Sequence, residues 1–137
     1  DQSNPSEQNQ IPLSPADINR ADSILTESQL LADQKLYQAA IKRINEIQST
    51  NPLYGEAQSR LRLLSNSAVQ ELRQRAALAY QKSVSVGDSV AKETYLQEAR
   101  KHLQEALNQF PNADQLSVVK QNLDTIDREI DSIKLPE

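Results

Sequence analysis

The chain has 137 residues, of which 37% are hydrophobic; it holds two Gly, one Phe, no Cys and no Met, and carries a net charge of -4. This length fits one domain with a real core, and the scarcity of Gly and aromatic residues argues against a sheet protein. The lack of Cys excludes disulfides, thiolate metal sites and Cys nucleophiles, the mild negative charge argues against a general nucleic-acid or anionic-membrane surface, and no stretch approaches the roughly 20 apolar residues that span a bilayer.

Residues 1–13, rich in Gln, Asn and Ser and broken by Pro, read as a flexible polar leader, either a joint to another segment or a frayed terminus. Residues 14–137 read as a single helical domain. Ser14 caps the first predicted helix, with Pro15 at its first position and Asp17 placed to complete a capping box. Ile18, Ala21, Ile24, Leu25, Leu31 and Ala32 form its apolar stripe, and it runs to about Asp33. A short turn leads to a second helix over about 36–49, with Tyr37, Ala40, Ile41, Ile44 and Ile47 on one face. So short a connection makes the pair antiparallel neighbours.

Asn51-Pro52 opens the third and longest helix, which meets no breaker before Gly87. At about 34 residues and 1.5 Å per residue it is a rod of about 50 Å. The run Ser65-Asn66-Ser67, three poor helix formers, marks its one expected weak point. Gly87 is a candidate C-cap and Asp88 a candidate N-cap for a fourth helix over 89–109. Pro111-Asn112 opens the last, on which Leu116, Val119, Leu123, Ile126, Ile130 and Ile133 alternate three and four apart in a strict seven-residue pattern.

One stretch occurs twice. Leu36 to Pro52, shifted by 59 residues, places Gln38, Ala40, Lys42, Glu46 and Pro52 on Gln97, Ala99, Lys101, Glu105 and Pro111. Ile44 falls on Leu103 and Ile47 on Ala106. The small Ala permits close helix approach, the two apolar residues share its face, and Pro stops the helix. Both copies resemble the second helix of a tetratricopeptide repeat. Ile24, Ser28 and Leu31 stand at the apolar and small positions of that family's first helix, whereas Glu27 stands where Leu is usual. The family's period is about 34 residues, so a spacing of 59 implies degenerate repeats with long helices. The resemblance implies an all-α fold of five helices, a short α-solenoid of two antiparallel hairpins around a long central helix, with a C-terminal capping helix.

Few residues suggest chemistry. His102 is the only His and reads as a solvated surface side chain. Asp124, Asp127 and Asp131 line one face of the last helix but lack the loop and glycine of a calcium site, so a solvated acidic face is expected. No motif marks an enzyme, and no cofactor or metal is expected. Arg60, Arg62, Arg73 and Arg75 stand on the third helix, with Arg62 and Arg73 on one side of it at about 200 and 220 degrees from Arg60. Near Tyr54, Tyr80 and Tyr95 they suit recognition of an acidic peptide; pairing with Glu56, Glu71 and neighbouring acidic faces is the alternative.

The resemblance implies a concave face lined by the first helix of each hairpin that binds a segment of another protein. The residues expected to line it are Arg20, Glu27, Arg62, Gln70, Arg73 and Gln74. The function expected is thus a non-catalytic adaptor or scaffold. Self-association or a spacer role through the seam of the last helix is the alternative. The lack of an initiator Met, the polar leader and the lack of Cys suit the soluble part of a larger bacterial protein anchored in the envelope, on its periplasmic side; a fragment of a cytoplasmic adaptor would have a similar sequence.

Overall fold

The computed structural model describes residues 14–134. It is all-α, with five helices: α1 (Pro15–Asp33), α2 (Tyr37–Ile44), α3 (Tyr54–Ser85), α4 (Ser89–Gln109) and α5 (Leu116–Lys134). The expected leader, residues 1–13, lies outside the described residues. The chain forms two compact units, one ending at Leu64 and the other beginning at Ser65, and the boundary falls inside α3.

The first unit begins with the cap that the sequence predicts. The Asp17 amide donates to Ser14 Oγ at 3.2 Å, and the Ser14 amide donates to Asp17 Oδ2 at 3.2 Å. Such a box satisfies two amides that a helix start leaves open. Ala21, Ile24, Leu25 and Ala32 of α1 pack with Ala40 and Ile44 of α2, with Ile47, and with Ala57, Leu61 and Leu64 at the start of α3. Ile18, assigned to the stripe, stands exposed instead, because it lies one turn from the helix start and beyond the core.

The turn between α1 and α2 is a Schellman motif. The Leu36 amide donates to the Leu31 carbonyl at 2.9 Å and the Lys35 amide to the Ala32 carbonyl at 2.8 Å. Lys35 takes the left-handed conformation with φ 64°, where glycine is the usual occupant. Gly87, the expected C-cap glycine, has no positive φ. Helix α4 is capped from its other side by Asp88, whose Oδ2 accepts from the Ala91 amide at 2.9 Å.

Helix α2 stops at Ile44, short of the expected end near 49. The Glu46 amide turns to the Arg43 carbonyl and the Ile47 amide to the Ile44 carbonyl, both at 3.0 Å. These tighter bonds carry Ile47 into the core after the α-helix has ended. The two copies of the repeated stretch thus end differently: α4 runs to Gln109, two residues before Pro111, whereas Pro52 lies eight residues past Ile44. Their inward positions agree. Ala40 and Ala99, Ile44 and Leu103, and Ile47 and Ala106 are all buried.

Helix α3 runs unbroken through Ser65-Asn66-Ser67. Among the described residues three serines are fully buried, and two of them satisfy their hydroxyls on their own helix: Ser28 donates to the Leu25 carbonyl at 2.8 Å and Ser83 to the Tyr80 carbonyl at 2.6 Å. The hydroxyl of Ser65 has no partner. In the second unit the buried side chains are Ala68, Val69, Leu72, Ala76 and Ala79 from α3, Leu96, Ala99, Leu103 and Ala106 from α4, Phe110, and Val119, Ile126 and Ile130 from α5. Val84 is exposed at the end of α3. The seam of α5 faces inward: Val119, Ile126 and Ile130 are buried, with Leu116, Leu123 and Ile133 half-buried.

Two substitutions test these local conclusions by chemical denaturation. Lys35→Gly relieves the left-handed lysine and should raise stability by about 0.5–1 kcal/mol; a loss would contradict the assigned φ. Ser65→Ala removes a buried unpaired hydroxyl and improves helix propensity, and should stabilise by about 1 kcal/mol. Ser28→Ala, which removes a satisfied hydroxyl, should gain less.

Candidate interaction groove

The second unit carries a groove along α3. Its wider part is a cleft of about 300 Å³ lined by Arg73, Ala76, Ala77 and Tyr80 of α3, Leu103 of α4, and Asn122, Thr125 and Ile126 of α5. A neighbouring cleft of about 330 Å³ is lined by Asn66, Val69, Gln70 and Arg73 of α3 with Asp114 and Gln115. Arg73 belongs to both.

The groove depends on how α5 begins. The sequence places that start at Pro111-Asn112, but the helix opens at Leu116. Residues 111–115 are instead a turn tied to α3. The Asp114 amide donates to Asn66 Oδ1 at 2.8 Å, and Asn66 Nδ2 donates to Asp114 Oδ2 at 2.9 Å. Arg73 Nη1 adds a bond to Gln115 Oε1 at 2.9 Å. Asn66 therefore has a positive role at the point where sequence reasoning sees only a poor helix former, and nothing local in the sequence pairs it with Asp114, 48 residues away.

Further along, Tyr80 meets Glu129 of α5. The Tyr80 phenol is held above its ordinary pKa, first by its hydrogen bond to Glu129, then by burial and by that carboxylate's charge. Glu129 Oε2 is buried without a hydrogen-bond partner, as is Nδ1 of His102. His102 is half-buried, with its Nδ1 inside, so the expectation of a solvated surface side chain is corrected. Tyr95 receives the Lys82 ammonium 5.8 Å from its ring centre.

Of the residues expected to line a binding face, the groove brings together Gln70, which is exposed, and Arg73, which is half-buried. Gln74 is exposed on α3 and does not line either cleft. Arg20, Glu27 and Arg62 belong to the first unit. There Arg20 pairs with Glu46 at 3.1 Å, Arg43 pairs with Glu46 at 2.7 Å, and Arg43 also reaches Glu27. This ladder joins α1 to the end of α2 and explains Glu27, which stands where the repeat pattern has an apolar residue. Arg60 donates to Gln29 at 3.1 Å, and Arg62 is exposed. In the second unit Arg75 pairs with Glu71 at 2.8 Å, as the alternative reading of these arginines expects. Asp127 is drawn out of the acidic row by Arg100 at 2.7 Å.

Sequence reasoning missed Asn122 and Thr125, two exposed polar residues between seam positions whose place on the groove wall appears only once α5 is packed. Among the described residues no group of three or more His, Asp or Glu is arranged so that it could hold a metal ion, and no helix is long and apolar enough to cross a membrane. Compared with known protein families, curated proteins and solved structures, the chain has no match.

The Tyr80–Glu129 contact gives a pH signature. A phenol whose folded pKa is raised adds stability that is fully present below its unfolded value of about 10 and is lost as pH rises through the folded value. Glu129→Gln should bring Tyr80 ionisation, followed by phenolate absorbance, down towards that ordinary value and remove this alkaline component of the melting curve. An unchanged titration would show that Glu129 does not act on Tyr80.

Proposed function

We propose that the chain is a non-catalytic protein–protein interaction module, an adaptor or scaffold of tetratricopeptide type, that holds a segment of another protein in the groove of its second unit. The observation that carries this reading is the groove itself. It has an apolar floor of Ala76, Leu103 and Ile126, and a rim of polar side chains from two helices, including a cation. Such a mixture suits a peptide better than a small rigid substrate, because the floor accepts side chains while the rim accepts backbone groups.

The repeat resemblance is supported by burial. Ile24, Ser28, Ala40, Ile44 and Ile47 occupy the inward positions of the first hairpin, and Ala99, Leu103 and Ala106 those of the second copy. The α5 seam is engaged within its own unit, which favours an adaptor over a module that pairs through that seam. A chain without Cys also suits a periplasmic setting as the soluble part of a larger bacterial envelope protein.

The test is an affinity capture with the whole chain, run beside Ala77→Trp. Ala77 is exposed, so the indole fills the cleft without entering the core. A partner held by the native chain and reduced at least tenfold by Ala77→Trp is the expected result. Partners retained equally by both would remove the groove from the interaction.

A further inference from the structure

Arg73 is the one cation of the groove walls, and its bonding is incomplete. Nη1 donates to Gln115, while Nε is buried with no acceptor. Among the described residues no carboxylate forms an ion pair with it: in this unit Glu71 pairs with Arg75, Asp127 with Arg100 and Glu93 with Lys134. A buried donor without an acceptor is unfavourable, and a guanidinium presents a fork that matches a carboxylate.

We propose, on the reading that this groove binds protein segments, that Arg73 receives the side-chain carboxylate of a Glu or Asp within an extended peptide. The two clefts continue on both sides of Arg73, so a chain lying in the groove passes the guanidinium instead of ending there; this selects an internal acid over a terminal carboxylate. From Asn66 to Tyr80 the groove is about 21 Å long, by helical rise, which accommodates about six extended residues. Ala76 and Ala77 lie about 5 Å along the helix from Arg73, near the about 6.6 Å that separates same-face side chains of an extended strand. The segment recognised therefore carries an acid and, two residues away, an aliphatic side chain that rests on Ala76, Leu103 and Ile126.

The probes are three short peptides. The first is acetylated and amidated and holds one Glu with Leu two residues to either side. The second replaces Glu by Gln. The third lacks Glu but has a free C-terminus. Titration of the whole chain is followed at the Arg73 side-chain Nε–H resonance, assigned by its loss in Arg73→Gln. The Glu peptide should move that resonance to saturation and bind at least tenfold more tightly than the other two, and Arg73→Gln should abolish the difference. Equal binding of the Glu and Gln peptides, both lost in Ala77→Trp, would overturn the carboxylate assignment while leaving the groove as the binding surface. Stronger binding of the free C-terminus would overturn the internal-acid assignment, and no binding by any peptide would overturn the inference outright.

Discussion

The reciprocal hydrogen bonds between Asn66 and Asp114 govern the second unit. They hold the turn after Phe110 against α3 and delay the start of α5 to Leu116. That start sets which residues of α5 face inward. Val119, Ile126 and Ile130 are buried, and Asn122 and Thr125 are left on the groove wall. A pair of side-chain hydrogen bonds contributes little net stability, on the order of 1 kcal/mol each. Its larger effect is geometric, because it selects one placement for a helix whose apolar seam repeats every seven residues and so tolerates displacement along its axis.

The same economy appears in the core. Many of its buried apolar side chains are Ala, among them Ala21, Ala40, Ala57, Ala68, Ala76, Ala99 and Ala106. Small side chains at helix contacts let backbones approach closely, and stability then rests on shape complementarity and on a few larger residues such as Ile24, Ile44, Leu96 and Phe110. Where a small exposed residue lies beside that core, as Ala77 does next to Ala76, a groove is left. Arg73 stands at the middle of that groove with an unused donor.

Much of the fold was legible because its signals are local. The Ser14–Asp17 box, the Asp88 cap and the bounds of α1 and α4 follow from residues within one turn of each helix end. The inward positions of the repeated stretch follow from periodicity alone. What was not legible depends on distant partners. Helix α2 ends early as Ile47 turns into a core formed with α1 and α3. Helix α5 starts late because Asn66 holds Asp114. Lys35 adopts a conformation usual for glycine, and no residue type announces it. The binding-face residues divided for a related reason. Helical angle places Arg62 and Arg73 on one side of α3, but it cannot show that Arg20 and Glu27 are taken up by Glu46 and Arg43. Nor can it show that Arg73, which lines the clefts, keeps an unmatched donor.

The most direct test of this account is amide hydrogen exchange at Asp114. The residue is exposed in a turn, and its amide would exchange rapidly unless the Asn66 carbonyl oxygen accepts from it. The account predicts slow exchange in the native chain and fast exchange at Asp114 in Asn66→Ala, with the buried amides of α4 unchanged. Fast exchange at Asp114 in both proteins would contradict it, because the turn would then not be tied to α3 and the groove would not be a fixed feature of the fold.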